Sequence, residues 1–146
     1  MTVHAMKEDD VRLLRDEIEL LMNERRQLLQ VTGAAAVFGS RTLGGRHIYK
    51  YAQNYWGVRF LTGITNVLFG GHLSDVAVAT KMVRRSILPG LALRGEHFDL
   101  DFELPVKLLR AGYQIHEVPV SYRPRTYAEG KKIKPVDGLR ALWVIV

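Results

Sequence analysis

Apolar positions change their period several times along the chain, and each change marks a predicted element. Residues 9–31 carry Val11, Leu14, Ile18, Leu21 and Leu28 at three-four spacing, which predicts one amphipathic helix with Arg25 interrupting its stripe. Asp9 or Asp10 is placed to cap its start and Gly33 to end it. Its length of about three heptads suits a coiled-coil pair as well as packing on its own domain. Arg12–Asp16 and Arg15–Glu19 add i,i+4 pairs worth only ~0.3 kcal/mol each. From Ala34 the texture becomes continuously apolar. Ala34 to Phe38 predicts a short buried strand, with a tight Gly39-Ser40 turn delivering Arg41 at its end. Residues 49–69 return to helical spacing, rich in Tyr51, Tyr55, Trp56, Phe60, Leu61, Ile64, Leu68 and Phe69. A helix against a sheet and a helix at a membrane interface both explain them.

After Gly70-Gly71, Val76 and Val78 alternate with Ala77 and Ala79, and Met82 to Leu88 reads as a helix stopped near Pro89-Gly90. Asp99, Asp101 and Glu103 recur at period two, which predicts an extended segment with all three on one side. Glu103 to Arg110 then forms a helix with Pro105 in its first turn and Gly112 just past its end. A strand follows over QIHEVPVSY, Val118 and Val120 facing one way and Glu117, Pro119 and Ser121 the other. A final helix runs from Val136 to Val146. Its wholly apolar end, LWVIV, has no polar stop and reads as cut.

Charge divides the chain. Of its 21 Lys and Arg and 15 Asp and Glu, residues 1–33 hold five and seven, leaving 16 and eight for the remaining 113. The asymmetry suits two parts with different tasks, the second facing phosphates, nucleic acid or an anionic membrane surface. The whole is 146 residues, 47% apolar and 25% charged, a single-domain length with ordinary globular values. It has no cysteine, which excludes disulfides and thiolate metal sites. No signal peptide is visible, and the uncharged run Phe60 to Gly71 is too short to span a bilayer.

Candidate chemistry gathers in EVPVSYRPRTYAEGKKIK, residues 117–134. After its opening strand, Arg123, Arg125, Lys131, Lys132 and Lys134 sit against a single acid, Glu129. Such a loop is ordered most easily by an anion, and Arg forks and Lys heads suit phosphate oxygens. Its alternative is a solvated basic loop. Asp75 suits the common task of holding a loop through backbone N–H groups. Asp101 and Glu103 are the candidate general bases, with helix capping as the competing role. His72 and His97 read as surface residues rather than metal ligands.

These pieces together resemble the C-terminal half of the glycosyltransferase family 2 catalytic domain, as in dolichol-phosphate mannose synthases and polyprenyl-phosphate sugar transferases. The motifs occur in family order: VFGSR (37–41), GGR (44–46), N-x-x-x-x-R-F from Asn54, LTGITNVLFG (61–70), SDxxxxTK (74–81) with Arg84-Arg85, and F-x-L-D-x-E (98–103). KLLRAGY (107–113), EVPVSYRPRTYAEGKK (117–132) and DGLRALW (137–143) complete the series, which covers residues 36–146. The resemblance implies an α/β, partial GT-A fold lacking its N-terminal donor-binding half and preceded by an amphipathic helix. Residues 1–33 would form that helix, unmatched in the family, and residues 34–146 the acceptor-side half. It further implies sugar transfer from a nucleotide-sugar to a polyprenyl phosphate. Arg41, Arg123, Arg125, Lys131 and Lys132 would bind acceptor phosphate, with Asp75 and Lys81 structuring loops.

The chain departs from the family at Val78, Ala79 and Thr80, where a small hydroxyl, a glycine and an aromatic are usual, and at Ala128, where glycine is usual. No D-x-D precedes the GSR strand, so the Mg²⁺ or Mn²⁺ of the complete family domain is not expected in this chain, nor transfer by it alone. The expected partners are a polyprenyl phosphate lipid or an anionic membrane surface, not nucleic acid, and a second chain or copy through residues 9–31. That partner chain would supply the donor half. The expected location is cytoplasmic, peripheral at the membrane face. The alternative is a non-enzymatic binding module, a partner-binding helix joined to a basic, membrane-facing domain.

Overall fold

The computed structural model describes residues 8–31, 33–43, 52–96, 98–121 and 135–146. In chain order these form α1 (Glu8–Val31), β1 (Ala36–Ser40), α2 (Ala52–Phe69), β2 (Lys81–Val83), a 3-10 turn (Leu88–Leu91), α3 (Phe98–Arg110), β3 (Ile115–Pro119) and α4 (Pro135–Ile145). The strands make one mixed sheet in the order β2-β1-β3. β1 runs parallel to β3, with Ala36 opposite Ile115 and Ser40 opposite Pro119, and antiparallel to β2, with Ala36 opposite Val83. As the central strand, β1 has every residue buried, which accounts for its unbroken run of small and apolar side chains.

The predicted Gly39-Ser40 turn is corrected: both residues continue β1. Gly39 donates its N–H to the Thr80 carbonyl at 2.8 Å, and the Ser40 carbonyl accepts from Val120 at 3.0 Å. A Cβ on Gly39 would lie 2.8 Å from Val120 Cγ1, so only glycine admits Val120 this close to the strand.

α3 is the element on which the layers meet. Phe102 and Val106 pack with Leu61 of α2 and with Ala141 and Ile145 of α4. Leu104 and Leu108 turn instead to Ala36 and Phe38 of β1. Two buried faces on one helix explain why F-D-L-D-F-E-L alternates like a strand. The expected extended segment over Asp99 to Glu103 is thus corrected to helix from Phe98, and Pro105 lies in the helix interior rather than its first turn. Burial of Phe98 against Phe102, edge to face with centroids 5.3 Å apart, adds an aromatic contact to that start.

The helix expected over Met82 to Leu88 is also corrected. Lys81–Val83 pairs with β1, and only the 3-10 turn follows before Pro89-Gly90 closes it. Strand pairing outweighs a weak local helical tendency over so few residues.

α1 carries no basic residue of its own in its last turn, and one of its last carbonyls is served from outside the helix. The guanidinium of Arg84 donates to the carbonyl of Leu29, supplying a partner that the helix cannot give itself, and to that of Ala34 beyond the helix. Leu29 is buried with Ala34 and Val37, while Leu20 and Val31 are exposed. No helix of the described residues is long and apolar enough to cross a membrane.

Candidate functional site

The C-terminal end of β1 meets the loop that follows α2, and polar side chains converge there. Ser40, fully buried, lies with its Oγ 2.6 Å from Ser74 Oγ and accepts the N–H groups of Thr42 and Leu43 at 3.2 Å each. Thr42 Oγ1 donates to the Ser74 carbonyl at 3.2 Å. Asp75, also fully buried, receives Arg41 in a two-point grip: Nε to Oδ2 at 2.6 Å and Nη2 to Oδ1 at 2.7 Å. The backbone N–H of Arg41 adds a third bond at 3.1 Å. Such a bidentate pair fixes direction as well as distance.

The loop itself is held from two sides because, being buried, its backbone must find partners within the protein. From β3, Glu117 accepts the N–H of Ser74 at 2.7 Å and of Asp75 at 3.1 Å. From α2, Thr62 Oγ1 accepts the N–H of Val76 at 3.1 Å. The Asn66 amide closes on the Leu73 backbone in both directions, at 2.8 and 2.9 Å. Arg59 donates to the Ser74 carbonyl at 3.3 Å.

Lys81 extends this neighbourhood. Its ammonium bonds Asp101 at 3.1 Å and the Val78 carbonyl, and lies 5.5 Å from the centroid of the Phe38 ring. Burial lowers its pKa below the ordinary lysine value against the opposing pull of Asp101. Glu103 lies in a different network: it accepts N–H from Gly95 at 2.6 Å and from Arg94 at 3.0 Å and pairs with Lys107 at 2.6 Å. Burial alone would raise its pKa, but the Lys107 ammonium and the two backbone donors outweigh that and hold it low.

The structure therefore brings Arg41, Asp75, Lys81 and Asp101 to one end of the sheet and sets Glu103 apart. The Nε–Nη2 edge of Arg41, a residue expected at an acceptor phosphate, donates to Asp75. The shared side expected for Asp101 and Glu103 is lost to the helix, and each carboxylate has a structural partner. Arg123, Arg125, Lys131 and Lys132 lie outside the described residues. Among the described residues no group of three or more His, Asp or Glu is placed to hold a metal ion.

Sequence reasoning missed Ser40, Thr42, Ser74 and Glu117. Glu117 alternates with Val118 as any solvent-facing strand residue would, and the N–H groups it serves are 42 and 43 residues away.

Burial raises the Glu117 pKa above its ordinary 4.5, against the bonds from Ser74 and Asp75 that favour the anion. Between 4.5 and that higher value the folded protein holds the proton more tightly than the unfolded chain. Its stabilising contribution is thus complete below pH 4.5 and is lost as pH rises through the folded value. Denaturation midpoints measured across this window are expected to fall less with rising pH in Glu117→Gln than in the parent; equal slopes would contradict the assignment.

No family model, curated protein or solved structure matches the chain.

Proposed function

We propose that residues 34–146 form the acceptor-side half of a polyprenyl-phosphate glycosyltransferase, seated peripherally on the anionic, cytoplasmic face of a membrane. The observation that carries this reading is an apolar surface on two neighbouring helices. α2 exposes Trp56, Phe60 and Val67, and α4 exposes Leu139 and Trp143 with Val146 just past its end, each set at helical spacing. Trp56 is 68% and Trp143 86% exposed, values that no packing role within the described residues explains. Exposed Arg59 and Arg140 stand on the same two helices, and the basic stretch 123–134 leads directly into α4. Aromatic side chains with flanking cations are the composition of a helix lying at a lipid headgroup boundary.

On this reading the basic stretch meets the phosphate of a lipid acceptor at the same surface. A polyprenyl phosphate is already an anion and a competent nucleophile, so cations that hold it matter more than a strong base. Each outer strand, β2 and β3, has one edge without a strand partner among the described residues. This supports a donor half added from elsewhere, on a partner chain or on further sequence.

A second reading keeps the membrane surface and drops the chemistry: a non-enzymatic module whose α1 binds a partner. The commitment of Asp101 to Lys81 and of Glu103 to Lys107 favours it.

Sedimentation with anionic vesicles tests the shared part. Binding is expected at low salt and should weaken as salt rises. Lys131→Ala/Lys132→Ala should reduce it by ~30-fold, at about 1 kcal/mol per cation. Failure to bind at low salt would contradict both readings.

A further inference from the structure

A second concave surface lies between the 3-10 turn and α3, outside the Arg41–Asp75 network. It is an open, shallow cleft of about 620 Å³ bordered by Arg94, Lys107 and Arg110 against one acid, Glu103. That acid is already saturated by Lys107 and by the N–H groups of Arg94 and Gly95. The Arg94 and Arg110 guanidinium groups have no ion-pair partner among the described residues and are left as the excess charge.

The backbone that presents Arg94 is fixed at some cost. Ala92 sits in the left-handed region, φ 45° and ψ 51°, where a residue with a Cβ is rarely found. Its carbonyl accepts from Lys107. Three residues on, a Cβ at Gly95 would fall 2.8 Å from Glu103 Oε2 and 2.9 Å from the Leu100 nitrogen. Only glycine allows the segment to press this closely on α3. Strain and close approach of this kind persist where the surrounding structure over-determines a loop, and they collect at ligand sites.

We propose that this cleft binds a small phosphomonoester, with Arg94 and Arg110 taking the phosphate and the surface around Gly90 and Leu91 receiving the rest of the molecule. Two planar forks offer paired donors to phosphate oxygens, and their charge matches a dianion. The volume falls in the range of small-ligand pockets, wide enough for a nucleoside monophosphate. Lys107, held by Glu103 and Ala92, braces the loop and does not compete for the ligand.

The test is titration of the full 146-residue chain with AMP, followed by backbone amide shifts, in the parent and in Arg94→Ala/Arg110→Ala. Both arginines are exposed, so the variant is expected to keep the parent's remaining amide spectrum. Saturable shifts at Gly90, Ala92, Gly95 and Ala111 are expected, with the affinity reduced at least ~tenfold in the variant by loss of two charge-assisted contacts. Inorganic phosphate should displace AMP from the parent. Absence of saturable AMP binding, an unchanged affinity in the variant, shifts confined to other residues, or no displacement by phosphate would each overturn the proposal.

Discussion

Replacing Asp75 with alanine is expected to destabilise the fold by about 3–5 kcal/mol, the scale seen when one partner of a buried ion pair is removed. The carboxylate is fully buried and the Arg41 side chain only 14% exposed, so the guanidinium left behind has little access to water. The Arg41 N–H also loses its acceptor, as do Nε and Nη2. Asp75→Asn keeps the shape and one acceptor oxygen but not the charge. It is expected to lose less than the alanine variant and still to fall clearly below the parent. Urea denaturation reads both, and an unfolding free energy for Asp75→Ala within about 0.5 kcal/mol of the parent, the range of ordinary surface changes, would remove this pair as the anchor of the site.

The second large effect concerns the membrane and leaves stability nearly untouched. Trp56→Ala/Trp143→Ala should weaken vesicle binding by several hundredfold, because two large apolar side chains at roughly 2 kcal/mol each are worth about 4 kcal/mol together. Both residues are largely exposed, so the thermal unfolding temperature should hardly move. Vesicle sedimentation and thermal unfolding are read on the same preparation. Parent-like binding with an unchanged fold would mean that the exposed aromatics serve something other than lipid.

Much of the architecture was legible where one physical cause acted alone. α1, β3 and α4 each have a simple apolar pattern, and Gly33 and Gly112, at φ of 68° and 77°, mark the ends of α1 and α3 as their type suggests. The errors arose where two environments act on one segment. α3 buries one row of side chains against helices and another against the sheet, so its pattern alternates and imitates a strand. β2 is three residues long and is defined by its pairing with β1, which a local reading cannot see. At the site the residue types were visible but their partners were not. Asp75, legible as a loop-holding acid, does accept the Arg41 N–H, while a separation of 34 positions hides that its carboxylate also grips the Arg41 guanidinium. The alternation sets Glu117 on the face opposite Val118, but nothing near it in sequence asks for an acceptor, so its partners are not legible there.

The proposed function rests on the exposed apolar surface of α2 and α4 and on the basic stretch 123–134, and it holds that the chain recognises a polyprenyl phosphate and not negative charge in general. Binding to vesicles containing polyprenyl phosphate, compared with vesicles of equal surface charge made with phosphatidylglycerol, separates the two. Tighter binding to the polyprenyl phosphate vesicles is predicted, with the difference lost in Arg125→Ala/Lys131→Ala; equal binding to both would contradict the acceptor assignment and leave a general anionic-membrane module.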